Sequence, residues 1–298
     1  MICVRVPATS ANMGAGFDTL GVALNLYSRL EVEETDSGLD IITVNNNGTV
    51  QNDKTNLIYR AMMKIFDETG YKPKGIRIKQ DSEIPMTRGL GSSSACIIGG
   101  MLAANAMSGR KIPYSEILDM SAKMEGHPDN VGPALYGGLC VSATVNGKAI
   151  ANSVKLKKGL KFAVMVPDFF VATRKSREIL PDKVEIRDAA DNISSALMFY
   201  SAMVKGDYSM LRYGVRDKLH QPYRKHLIDG FDDIFNMTYK NGSLATYLSG
   251  SGPTVVSILD GNAFDFKREM EIFFNENSHK WRCMILECDN VGSVVSEF

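Results

Sequence analysis

Between Ile84 and Ala95 the chain reads Ile-Pro-Met-Thr-Arg-Gly-Leu-Gly-Ser-Ser-Ser-Ala, two glycines and three serines running straight into an apolar segment. The backbone N–H groups of such a loop converge on an anion, and the positive end of a following helix faces the same anion. Gly89 and Gly91 carry no Cβ, so the backbone can approach a phosphate closely. The hydroxyls of Ser92, Ser93 and Ser94 can donate to phosphate oxygens or ligate a metal riding on them. No lysine follows Gly91, which excludes a Walker A loop, and Ser94 stands where a dinucleotide fingerprint needs a third glycine or alanine. What remains is a nucleotide loop of the pattern Pro-x-x-x-Gly-Leu-Gly-Ser-Ser, spanning Pro85, Arg88, Gly89, Leu90 and Gly91. A serine helix cap is the plain alternative.

Other side chains suit a second, zwitterionic ligand. Arg177 and Arg224 are built for bidentate binding of a carboxylate, and Thr173 stands one helical turn before Arg177 on the same face. His220-Gln221-Pro222-Tyr223-Arg224 gathers polar and rigid residues into one loop. Asn12 offers an amide donor and acceptor, and Asp18 a carboxylate suited to an ammonium group. Capping of turns is the plain alternative for both. An amino-acid substrate needs a cation for its acid end and an anion for its amine, and this chain has both.

Five segments together carry a resemblance. The loop Pro85–Ser93 is similar to the phosphate loop of the GHMP kinases, small-molecule kinases that include galactokinase, mevalonate kinase and homoserine kinase. Pro7-Ala8-Thr9-Ser10-Ala11-Asn12-Met13-Gly14-Ala15-Gly16-Phe17-Asp18 resembles the N-terminal substrate loop of the homoserine kinases in that superfamily. Glu125-Gly126-His127-Pro128-Asp129-Asn130-Val131, then Gly137-Gly138, resembles its second motif. Leu248-Ser249-Gly250-Ser251-Gly252-Pro253-Thr254 resembles its C-terminal glycine loop, and the His220–Arg224 segment with Thr173 and Arg177 resembles the amino-acid clamp. These run from Pro7 to Thr254 in the family's order.

The resemblance implies two lobes with the site between them: a ribosomal-protein-S5-like domain over residues 1–155 and a ferredoxin-like domain over 156–298. It implies ATP and Mg²⁺ as cofactors, and transfer of the γ-phosphate to the side-chain hydroxyl of L-homoserine on the route to threonine. Asn12, Asp18, Thr173, Arg177 and Arg224 would hold the amino acid, with His127 as a substrate or structural contact. Glu125 and Ser93 would ligate the metal, and Asn56 would touch the adenine, with helix capping as its alternative. Asn130 is expected at the reacting oxygen and Asp129 in support, because a largely dissociative transition state asks for positioning more than proton removal. Many relatives pair, so a homodimer is one expectation. The chain departs from the pattern at Ala15, where many relatives have proline, at Ser251, where alanine is usual, and at Met86-Thr87. None of these removes a functional side chain.

The elements that must position these residues follow from composition and period. The 298 residues suffice for two lobes. Lys+Arg and Asp+Glu both number 34, so no charge excess points to nucleic acid. Five cysteines without a C-x-x-C pair read as reduced thiols, which fits a cytoplasm. No basic and apolar leader opens the chain. Residues 95–107, interrupted by Asn105, fall short of the ~18 residues of a membrane span and read as a buried helix.

Ile2–Val6 alternates like a strand that Pro7 ends, with a loop from Ala8 to Asp18. Strands follow near Arg29–Glu34, Asp40–Val44 and Gly75–Lys79, with a loop at Asn45–Gly48 and a helix over Lys54–Thr69 closed by Gly70. A helix after Pro113 is broken at Gly126, and Leu139–Val145 is a strand ending at Asn146-Gly147. Lysine-rich residues 152–161 mark the boundary between lobes. Strands at Phe162–Val166, Leu244–Leu248, Thr254–Leu259 and Arg282–Glu287 alternate irregularly with helices over Thr173–Leu180, Asp188–Lys205, Leu227–Tyr239 and Asn262–Phe274. Such an order, without strict βαβ repetition, argues for an α+β fold.

Overall fold

Alternating apolar residues build the first sheet, and the strand period sends Val4, Val6 and Ala8 of β1 (Ile2–Ala11) into the core. The computed structural model describes residues 1–44, 51–109, 112–277 and 280–298; the expected loop at Asn45–Gly48 lies outside them. β2 (Leu20–Thr35) is the organising strand of this sheet. It takes β1 along one edge. Its other edge takes β4 (Gly75–Ser82) and, further along, β5 (Leu139–Val145). β3 (Gly38–Val44) lies parallel to β4, and β6 (Lys148–Val154) forms a hairpin with β5. Asn146 and Gly147 both have positive φ in that hairpin turn, as its tight reversal requires.

Among the described residues, four helices complete this half: α1 (Leu57–Thr69), α2 (Ser92–Met107), α3 (Tyr114–Glu125) and α4 (Val131–Tyr136). α2 packs on β1 and β2 between α1 and α3, which is why it is apolar all round. Its N-terminus is thereby held rigidly at the end of the nucleotide loop.

The second sheet has the order β10 (Trp281–Leu286), β7 (Leu160–Pro167), β9 (Val255–Asp260), β8 (Ala245–Leu248), all antiparallel. Around it run α5 (Thr173–Glu178), α6 (Ile186–Lys205), the short α7 (Leu211–Gly214) and α8 (Gln221–Arg224), α9 (Phe231–Lys240) and α10 (Ala263–Glu276). Alternation along β7 divides two cores. Phe162 and Val164 join the core that continues into the first sheet, while Ala163 and Met165 meet Ile234, Phe266, Met270 and Phe274 of α9 and α10. The fold is α+β with two sheets.

Three expectations need correction, and one strand is unanticipated. β1 does not end at Pro7 but runs to Ala11, because a register shift between Pro7 and Ala8 absorbs the missing donor. Part of the segment read as a boundary, up to Val154, is strand β6. The His220–Arg224 segment is a helical turn, not a loop: the Asp217 carboxylate accepts from the N–H groups of His220 and Gln221 and starts it. Finally, β11 (Val294–Glu297) returns to pair with β1 in the first sheet, a strand that carries no distinctive sequence signal.

Candidate active site

A cavity of about 730 Å³ opens between the two sheets' lobes, lined from both halves of the chain. One wall is the nucleotide loop. Gly91, at φ +69, turns the chain into α2, and the first amide of that helix to be paired internally is that of Ala95. The N–H groups of Ser92, Ser93 and Ser94 are therefore the open positive end of the helix. Glycine is required at 91 by space as well as by φ: a Cβ there would lie 1.9 Å from the Thr9 hydroxyl. The C-terminal glycine loop closes on the same segment, with Ser249 Oγ donating to the Gly89 carbonyl at 2.6 Å.

Pro85, Arg88, Gly89, Gly91, Ser92 and Ser93 line the cavity. Leu90 and Ser94 are buried and do not, so only their backbone can serve a ligand. Arg88 spends its donors on the carbonyls of Pro167, Asp168 and Met86, tying the loop to the second sheet. Burial pushes its pKa down. Asn56 lines the cavity too, but its amide caps α1, accepting from Ile58 and Tyr59 N–H and donating to Gln51.

A second set of lining residues carries paired charges of both signs. Arg177 Nη2 and Nη1 donate to the two Asp18 oxygens at 2.8 and 3.0 Å, a bidentate pair across 159 residues. That hydrogen bond raises the Arg177 pKa. Asn12 shapes the strand-to-loop corner here: its Nδ2 donates to Gly250 O at 2.7 Å and its Oδ1 accepts from Asp18 N at 2.9 Å. Arg224 is 2 % exposed and donates to the carbonyls of Ser176 and Gly250 at 3.1 Å each. Burial, and then the Arg177 charge, lower its pKa to about 10, so it stays cationic at neutral pH. The Phe17 ring lies under both guanidinium groups, at 5.2 Å from Arg224 and 5.9 Å from Arg177. Thr173 meets Ser251 at 3.3 Å at the cavity edge.

The candidate reacting groups line the same cavity. Ser93 Oγ donates to Glu125 Oε1, so the two expected metal ligands are neighbours. His127 Nδ1 bonds Asp129 Oδ1, and Asn130 Nδ2 donates to the same oxygen at 3.4 Å. Burial alone would depress the His127 imidazole. The Asp129 hydrogen bond and charge, with Glu125 nearby, outweigh it and raise the pKa overall. Thr9 Oγ1 donates to Asn130 Oδ1 at 2.8 Å. The structure thus brings Asn12, Asp18, Glu125, His127, Asp129, Asn130, Thr173, Arg177 and Arg224 to one cavity with the nucleotide loop.

Two family models match parts of the chain. Residues 56–138 match the GHMP kinases N terminal domain, and residues 199–276 match the GHMP kinases C terminal. The homoserine kinase of Caldicellulosiruptor saccharolyticus is 45% identical over 297 residues, covering 99% of this chain and 96% of that protein. The chain belongs to the homoserine kinase family. The Clostridium botulinum (strain ATCC 19397 / Type A) homoserine kinase is 43% identical over 296 residues, with 99% of each covered. Among solved structures, homoserine kinase from Cytophaga hutchinsonii superposes with a TM-score of 0.89 at 25% identity, over 99% of this chain and 97% of that one. Methanococcus jannaschii mevalonate kinase shares the fold, with a TM-score of 0.70 at 18% identity over 97% and 98% of the two chains.

Within this homoserine kinase fold, sequence reasoning overlooked several residues that hold the site. Thr9 and Phe17 lie inside a motif already singled out, yet a threonine on a strand and a phenylalanine in a loop read as structural. His220, named in the clamp segment but given no role of its own, is fully buried, and its Nε2–H donates to Gly14 O at 2.8 Å. Its Nδ1 is then the acceptor for Arg224 Nη1 at 3.3 Å. Gln80, Cys96 and Arg282 also line the cavity. Only their placement in the fold reveals it.

Proposed function

We propose that this protein transfers the γ-phosphoryl group of ATP to the side-chain hydroxyl of L-homoserine, forming O-phospho-L-homoserine on the route to threonine. The observation that carries this reading is one cavity lined by a glycine-serine loop at a helix N-terminus and by the Asp18, Arg177 and Arg224 cluster. A sugar or mevalonate gives no reason for an anion beside two cations. An α-amino acid does.

Arg177 and Arg224 hold the carboxylate and Asp18 the ammonium, the substrate sharing an ion pair that already exists. Asn12 and Thr173 fix the walls around it. The amides of Gly89–Ser94 take the ATP phosphates, with Pro85 and Arg88 setting the loop and Asn56 at the base end. Asn130 donates to the hydroxyl oxygen and aligns it, while Asp129, shared with His127, keeps the amide in place. Alignment is the main demand of a loose phosphoryl transfer.

Mg²⁺ takes few protein ligands and keeps several waters, so one carboxylate and one hydroxyl suit it. Glu125 and Ser93 would hold it, and when bound it would neutralise phosphate charge. Among the described residues no group of three or more His, Cys, Asp or Glu side chains is placed to hold a metal ion. The lobes divide near residue 155, with the last strand counted in the first lobe. We assign the enzyme to the cytoplasm, which five free cysteines support, and to a homodimer on family resemblance.

An assay coupled to ADP release, run on homoserine, mevalonate, galactose and shikimate, tests the substrate. Turnover with homoserine alone is expected. Turnover with another alcohol and none with homoserine would leave a superfamily kinase of different specificity, and binding without any turnover would indicate a sensor.

A further inference from the structure

We propose that Thr9 is a positioning residue for phosphoryl transfer: its hydroxyl fixes the Asn130 amide so that one N–H of Asn130 faces the reacting oxygen. The proposal rests on the role given to Asn130 above.

The orientation of that amide is set from both ends. The Asp129 carboxylate oxygen beside Asn130 can only accept, so Nδ2 must be the atom 3.4 Å from it. Oδ1 then faces Thr9, whose hydroxyl donates at 2.8 Å. One Nδ2 hydrogen serves Asp129. The other is the amide's remaining donor, and Asn130 lines the cavity. Thr9 itself is fully buried and does not line it, so it acts through Asn130 rather than on the substrate.

Thr9 is also locked to the nucleotide loop. Its N–H donates to the Leu90 carbonyl at 3.2 Å. Its hydroxyl occupies the room that the missing Cβ of Gly91 leaves, and that same absent Cβ would lie 3.3 Å from Asn130 Oδ1. Thr9 on β1 therefore links the loop assigned to the phosphates, through its N–H, to the amide assigned to the acceptor, through its hydroxyl. The relation spans 121 residues of sequence and brings together the two reactants' supports.

Thr9→Val keeps the shape and removes the hydroxyl, freeing the amide to rotate. Loss of alignment is expected to lower kcat about 10- to 100-fold, the scale for a misplaced reactant. KM for homoserine and for ATP should stay within about threefold, because binding groups are untouched. Thr9→Ser should restore kcat to within about threefold of the parent. In an Asn130→Ala background the valine should cost nothing further, since the group it acts through is gone.

A kcat for Thr9→Val within twofold of the parent would overturn the proposal, as would a loss that multiplies fully with that of Asn130→Ala. Should the valine variant not fold, Thr9→Ala compared with Thr9→Ser reads the same contrast. Asn130→Ala alone keeping full kcat would instead remove the role given to Asn130, a separately visible failure.

Discussion

Replacing Arg177 with methionine isolates the charge that the substrate reading needs. The guanidinium makes two charge-assisted hydrogen bonds to Asp18, at 2.8 and 3.0 Å. The side chains of Arg177 and Asp18 are 38% and 34% exposed, so solvent screens the pair. Its contribution to stability is about 0–1 kcal/mol, and the melting temperature should fall by no more than about 4 °C. Binding is another matter. A hydrogen bond to a charged group contributes about 1.5–3 kcal/mol, and the fork offers two to a carboxylate. Arg224 retains part of the attraction, leaving a loss of about 2–4 kcal/mol. That is a rise in homoserine KM of about 30- to 1,000-fold. Asp18, stripped of its partner, would add repulsion in the same direction.

Steady-state kinetics by ADP release, varying each substrate in turn, reads the effect. The KM for ATP should stay within about threefold, because the Arg177 guanidinium is engaged with Asp18 and makes no contact with the nucleotide loop. An unchanged homoserine KM would refute the reasoning. So would an equal rise in both KM values, which would make Arg177 a support of the fold or of the nucleotide.

Further outcomes follow from the same geometry. Gly91→Ala places a Cβ 1.9 Å from the Thr9 hydroxyl at φ +69, and should destabilise by about 2–4 kcal/mol in urea denaturation. Gly70→Ala, at φ +70 with no neighbour within 4 Å, should cost only about 1–2 kcal/mol; equal losses would show that space at 91 is unimportant. Glu125→Gln should lower kcat by about 100-fold or more while leaving homoserine KM within about threefold, and a kcat that holds would remove it as a metal ligand. Cys96 lines the cavity, and burial pushes its thiol up to about 11. At pH 8 about 0.1% is thiolate, so alkylation should be slow, and saturating ATP should slow it further. A rate indifferent to ATP would place the nucleotide elsewhere.

Local signals account for what the sequence makes legible. The glycine-serine loop, the helix behind it, the hairpin turn at Asn146-Gly147 and the cap at Gly70 all depend on residues within a few positions of one another. The continuation of β1 past Pro7 was hidden because the bulge that accommodates proline is made by the partner strand. The same holds for β11, which pairs with β1 about 290 residues away. At the site, residue types pointed to Arg177 and Asp18 separately, and the fold shows them joined. Arg88, expected at the nucleotide, turns out to be occupied with carbonyls of the other lobe. Asn56 spends its amide on a helix cap, the alternative already open to it from its position. Thr9 lies inside a segment that stands out in the sequence, but nothing in its type or spacing points to its partner 121 residues on.

The most direct measurement is a crystal structure with a non-hydrolysable ATP analogue, Mg²⁺ and L-homoserine. The amino acid's carboxylate is expected within hydrogen-bonding reach of Arg177 and Arg224, with its hydroxyl oxygen between Asn130 Nδ2 and the terminal phosphorus. An amino acid seated away from those guanidinium groups, or a triphosphate bound away from the Gly89–Ser94 amides, would contradict the central claim.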